Sequence, residues 1–394
     1  MRPWLTILAA VAVVSACSTG APAPAAAPTT APAAAPSAPP AAVPATAAAT
    51  APAAAASVAP KPAGSPSAVA AASPVASPVV AAPKPTAAAP SGPVATLSMG
   101  YSNISTDDTA SYVAVDEGIF MRHGLNVNAQ LVAGGSTTTA ALLAGQTQVS
   151  QNGGSETLSA VANGADLVIV ATLAGVYPYL FEVTPDIKTM QDVVGKKLGV
   201  SNVGGSADIA LRVALRANGI DPEKDVTIVA TGSAANRTAA LIAGAIQGGM
   251  AGPPDSLSIE AIGLHPILDL ASQHLPSANT VVAVQRSYAV ANHDIVQRYV
   301  DAIVEAMVQL KKDRPGTIAL LEKYYQSNDD HAMGIAYDFY ANEVAQVLPY
   351  PKPEQFKDAI DALSATNPKV RDVDLGTLLD TSYVQSAADR GLGQ

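Results

Sequence analysis

Four short stretches of this chain gather the residue types that hold small polar molecules. They are Tyr101, Ser102 and Asn103; Asn152, Gly153, Gly154 and Ser155; Ser201, Asn202, Gly204, Gly205 and Ser206; and Gly252, Pro253, Pro254 and Asp255. The chemistry open to them is hydrogen bonding, not bond making. Glycine lets a backbone approach a ligand closely, and the free N–H groups of a first helical turn carry partial positive charge that favours an anion. The candidate ligand contacts are therefore Ser102, Asn103, Asn152, Gly153, Ser155, Ser201, Gly205, Ser206 and Asp255. Ser206 has a competing role as cap of the helix that follows it, worth about 1 kcal/mol. Tyr177, a further candidate, and Tyr179 lie in "GVYPYLFEV", where they could stack on a planar ligand or donate from their hydroxyls; packing at a hinge is the competing role. No arginine falls on these loops, so an anion would depend on backbone N–H, Ser and Asn donors. Asp107, Asp108 and Asp255 could instead receive an amine. Ligand charge stays open at this level.

Catalytic patterns are missing from the sequence. There is no GxSxG elbow, no GxxxxGK[ST] loop and no HExxH. The histidines (His123, His265, His274, His293 and His331) are dispersed without ligand spacing, and Cys17 is the sole cysteine, which rules out an internal disulfide or a thiolate metal site. No enzyme activity, metal or cofactor is expected. Val94–Gln394 carries all 32 acidic residues and 19 of the 22 Lys and Arg, an acidic balance that argues against nucleic acid as a partner.

The elements around the candidate loops should be strands that end in them and helices that start from them, since ligands in open α/β sheets bind beyond the carboxyl ends of strands. The local patterns agree. "VATLSMGY" alternates and stops, "STDDTASYVAVDEGIFMRHGL" predicts a helix ended at Gly124, and "NVNAQLV" predicts a strand. "AGGSTTTAALLAG" is a turn and short helix, "QVSQNG" a third strand or strand end, "SETLSAVANG" a helix, and "DLVIVATL" an apolar run suited to a buried parallel strand. Strands alternating with helices imply a parallel sheet. The same order restarts at "KKLGVS". Within it, "AALLAG" at Ala140–Gly145 returns as "AALIAG" at Ala239–Gly244, 99 residues on, each after a Gly/Ser turn and each followed at one offset by a glutamine, Gln148 or Gln247. A duplicated unit, and hence two similar lobes, follows. Further on, Ile295, Val296, Tyr299, Val300, Ile303, Val304, Met307 and Leu310 hold a helical stripe expected to pack on the sheet.

The N-terminal region is of another kind. Residues 1–17 read as an export signal: Arg2, the apolar run "LTILAAVAVV", too short to span a bilayer, and small residues before Cys17. Between 18 and 93, 33 of 76 residues are Ala and 18 are Pro, with no acid and no aromatic. Such a segment blocks continuous helix and offers no core, so it is expected to be a disordered tether reaching on the order of 200 Å if fully extended.

"VSAC" resembles the lipobox of bacterial lipoproteins, which implies lipidation at Cys17. From Val94 onward, "YVAVDEGIFMRHGLNVNAQLVAGGSTTTAALLAG", "GKKLGVSNVGGSADIALRVAL" and "NHDIVQRYVDAIVEAMVQLKKD" resemble the periplasmic solute-binding proteins of the nitrate/sulfonate/taurine and thiamine-precursor (pyrimidine) import family. The resemblance implies an α/β fold of the two-lobed type II periplasmic-binding-protein kind, with two crossing strands as hinge. Lobe 1 would cover about 94–183 plus 284–394 and lobe 2 about 184–283. It further implies a monomeric, lipid-anchored extracytoplasmic protein that takes a sulfonate-, nitrate-, carboxylate- or pyrimidine-like molecule between its lobes and docks on an ABC-importer permease. A ligand-sensing receptor and a TRAP-type solute receptor are the alternatives. Many relatives carry a large aromatic or an acid at the start of "GGMAGPP"; here the segment is small and proline-rich.

Overall fold

The computed structural model describes residues 93–394; the expected signal, Cys17 and nearly all of the expected tether lie outside the described residues. Ten strands are present among the described residues: β1 (Ala95–Tyr101), β2 (Leu125–Leu131), β3 (Val149–Asn152), β4 (Leu167–Val176), β5 (Leu180–Val183), β6 (Lys197–Val200), β7 (Thr227–Ala230), β8 (Gly248–Ala251), β9 (His265–Asp269) and β10 (Pro276–Gln285). They form two five-stranded sheets, ordered β2-β1-β3-β10-β4 and β7-β6-β8-β5-β9. The two orders are the same once β1 to β4 are matched with β6 to β9. In each sheet the fourth place is taken by a strand arriving from the other half.

That exchange corrects the expectation of purely parallel sheets. β1 pairs parallel with β2 and β3, and β6 with β7 and β8, but β10 and β5 run antiparallel to both neighbours. A chain that leaves one sheet at its strand end enters the next from the opposite side, so the incoming strand must be reversed. "DLVIVATL", expected to be a parallel strand, is β4, buried along nearly its whole length and paired antiparallel with β10. By sheet membership the change-over falls at 177–179 and 270–275, so β5 goes with the second sheet and β10 with the first, on the far side of the boundaries expected near 183 and 283.

The helices that matter here are α1 (Thr109–Asp116), α2 (Ile119–Arg122), α3 (Gly135–Leu143), α4 (Gly154–Ala162), α5 (Ser206–Ala217), α6 (Ala234–Ile242), α7 (Asp255–Glu260), α8 (Arg286–Ala291) and α9 (His293–Lys312). The apolar stripe of α9 is buried from Val296 to Leu310, in one core with Leu97, Met99 and Val282 of the first sheet. Burying such side chains contributes about 1.5–3 kcal/mol each. A second core gathers Phe181, Leu198, Ile209 and Leu215, with Phe356 and Leu363 packed into it from the C-terminal region. Among the described residues no helix is long and apolar enough to cross a membrane.

The repeat is one device built twice. Gly145 and Gly244 close α3 and α6 at φ of 70° and 69°, a left-handed conformation that suits glycine. Gln148 then accepts from Ser98 N through its side chain at 2.8 Å, while its own N–H donates to Ser98 O at 2.9 Å. Gln247 does the same with Lys197, at 3.2 and 2.8 Å. Each glutamine thus ties the strand after its helix to the first strand of its repeat, β1 or β6.

Candidate functional site

The turns that open the two repeat helices face each other. Gly134, at φ 94°, leaves room that a Cβ would close to 3.1 Å from the carbonyl of Gly232. Asn202, its amide oriented to donate to Ser201 O at 3.2 Å, accepts from Gly135 N at 3.3 Å and so joins the two halves. Beside this junction lies a cavity of about 90 Å3 walled by both sheets. The loops after β1, β3, β6 and β8 reach it, together with Pro178 and Tyr179 from the first crossing segment and Asn279 and Thr280 from β10.

Seven of the expected contacts line this cavity: Ser102, Asn103, Gly153, Ser201, Gly205, Ser206 and Asp255. Three do not. Asn152 is turned into the first half, donating to Thr139 Oγ1 at 2.6 Å and accepting from Ser150 Oγ at 3.2 Å. Ser155 and Tyr177 line a much smaller void of about 10 Å3 behind it, which Ser206 also reaches, and the Tyr177 hydroxyl donates to Asp358 Oδ2 at 3.2 Å. The side chain of Ser206 does not cap α5. The cap position is Gly205, and Ser206 Oγ donates instead to Asn279 O at 3.0 Å, tying the helix to the crossing strand.

Arg237 is the main correction to the expected site, which held no arginine. It sits on α6, is 5% exposed, lines the cavity and donates from Nη1 to Ser201 Oγ at 2.9 Å. Its stem passes over Gly199 and Gly249, where added Cβ atoms would come within 3.4 and 3.2 Å of it. Burial lowers its proton affinity, while Tyr179 and Asp255 favour the charged form. The signal was present in "TGSAANRT": a charged residue in the first turn of the second repeat helix.

Two carboxyls add to the site, and the first of them escaped the sequence reading. Glu156 lies in the first turn of α4, and its carboxyl fills the space where Cβ atoms on Gly135, Gly153 or Gly205 would stand. Ser155 Oγ donates to its Oε2 at 2.8 Å, and burial raises its pKa. Glu156 also borders an outer groove of about 610 Å3 between α3, α4, α5 and residues 362–367, so it stands between that groove and the cavity. Asp107, weighed from sequence only as an amine acceptor, accepts at Oδ2 from Asn279 Nδ2 at 2.7 Å and Thr280 Oγ1 at 2.9 Å. Burial pushes its pKa up to about 6, against the lowering effect of those two bonds. Tyr325, from the helix at Arg314–Tyr325, completes the wall.

Two sheets that exchange one strand each, with a polar cavity at their strand ends, define the periplasmic-binding-protein class. The chain belongs to the NMT1/THI5-like family, whose profile matches residues 105–314. It is similar in structure to the alkanesulfonate-binding protein SsuA of Xanthomonas axonopodis pv. citri, bound to MOPS, at TM-score 0.60 and 19% identity over 75% of this chain and 99% of that one. The periplasmic nitrate-binding protein NrtA of Synechocystis PCC 6803 gives 0.62 and 16% over 75% and 89%. A desulfurization enzyme, DSZB, shares the fold at 0.54 and 16% over 75% and 99%. No curated protein matches the chain in sequence.

Proposed function

We propose that this protein is an extracytoplasmic solute-binding component of an ABC importer, which captures a small molecule between its two lobes and hands it to a membrane permease. The observation that carries the reading is the cavity itself: loops from both sheets and both crossing segments wall it, so closing the lobes and enclosing a ligand are one movement. The contacts proposed are Ser102, Asn103, Gly153, Ser201, Gly205, Ser206 and Asp255, with Arg237, Tyr179 and Asn279 added. Lipidation at Cys17 and a long tether at 18–93 would keep the binding unit at the membrane yet free to meet its permease. That the similar structures include an alkanesulfonate-binding and a nitrate-binding protein supports testing small polar solutes first.

Binding fits better than catalysis. Among the described residues neither a histidine nor a cysteine lines the cavity, so Ser102 and Ser201 have no such neighbouring base there. A thermal-shift panel of sulfonates, nitrate, carboxylates, pyrimidines and amines tests the reading, since a ligand that binds only the folded state raises the melting temperature. At least one solute is expected to raise it in a dose-dependent way. A panel without any shift, with no small molecule co-purifying, would overturn the reading.

A further inference from the structure

Glu156 occupies the place where an anionic ligand would find its best partners. Helices α3, α4 and α5 start after Gly134, Gly153 and Gly205, none of which offers a side chain to cap them. The carboxyl of Glu156 lies against the glycines at all three starts. Three positive helix ends therefore face a carboxyl group that belongs to the chain itself. A free oxyanion entering the cavity would have to displace it or lie beside it.

A second observation points the same way. Asn279 is 5% exposed and lines the cavity; its Nδ2 is spent on Asp107, and its Oδ1 is buried without a hydrogen-bond partner. A buried acceptor left unpaired is costly unless a donor arrives with the ligand. The charges agree. Asp107, Glu156 and Asp255 face the cavity against one guanidinium, and Arg237 already donates to Ser201 and feels the attraction of Asp255.

We infer that the group recognised in this cavity is an N–H donor, a protonated amine or amidine, taken by Asn279 Oδ1 and the Glu156 carboxyl, and that Glu156 is the residue that turns away bare oxyanions. The inference rests on the solute-binding reading and names its ligand class.

Calorimetric titration of the full chain with matched pairs tests it: propionate against β-alanine, acetate against acetamidine, butanol against butylamine, with nitrate and methanesulfonate added. The amino or amidino member of a pair is expected to bind about tenfold tighter or more, because a site built around a donor rejects the analogue that lacks it. In Glu156→Gln that preference should fall to about threefold or less, and nitrate or propionate should gain affinity. An oxyanion that binds the wild type as tightly as its amino partner overturns the inference while leaving the solute-binding reading intact. Failure of every compound, here and in the thermal-shift panel, removes both. The wild-type order decides the matter even if the variant does not fold.

Discussion

Arg237 donates from Nη1 to Ser201 Oγ at 2.9 Å, joining the second repeat helix to the loop that opens α5. Ninety-nine residues earlier the equivalent position is Thr138, whose hydroxyl donates to the carbonyls of Val132 and Gly134 within its own half. The strand glycines beneath them, Gly100 and Gly199, are also 99 apart. A shared scaffold thus carries a local hydroxyl in one half and a cavity-facing cation in the other. Arg237→Met removes a charged donor from a buried pair and should lower unfolding stability by about 2 kcal/mol, read from urea denaturation. An unchanged midpoint would mean that water replaces the bond at no cost.

The two glutamines give a test of the duplication. Gln148→Ala and Gln247→Ala each remove an acceptor from a strand N–H, Ser98 or Lys197, and each should cost about 1 kcal/mol. They tie different sheets and share no partner, so the double variant should equal the sum within about 0.5 kcal/mol. A clear excess or shortfall in chemical denaturation would show that the halves do not unfold as independent contributors.

Glu182 on β5 is fully buried, and neither carboxyl oxygen has a hydrogen-bond partner. Burial, reinforced by Glu260, pushes its pKa from 4.5 up to about 8. The folded state therefore holds a proton that the unfolded chain releases, and this group's contribution to stability is lost as pH rises from about 4.5 through 8. Glu182→Gln should melt above the wild type at pH 8, with the gap closing towards pH 4.5. A gap that does not change with pH would place the proton elsewhere.

Anchoring is checked on the cell. Labelled palmitate should appear on the protein and vanish in Cys17→Ala, and label that survives the change would refute lipidation at that residue.

A cation in the cavity, the loops that line it and the sense of each strand depend on different kinds of information, and the chain made only some of them readable. Periodicity placed β1 to β3 and the long helix α9, because a buried stripe and a strand alternation are local properties. The glycine-rich loops could be recognised as strand-end loops for the same reason, and seven of the expected contacts on them do line the cavity. Glu156 left no signal and Arg237 only a charge on a helix turn, since each reaches the site through space left by glycines distant in sequence: Gly199 and Gly249 for Arg237, Gly135 and Gly205 for Glu156.

By itself, then, the sequence determined the duplicated α/β unit, the acidic folded part, the 99-residue repeat and the loops that reach the cavity. Those follow from residue type and spacing along one chain. Only the tertiary structure decided that β5 and β10 change sheets and run antiparallel, that Asn152 and Tyr177 turn away from the cavity, and that a carboxyl of the chain stands at three helix ends. Each of these depends on which groups meet across the fold. Desolvation and hydrogen bonding act on that proximity, not on sequence order.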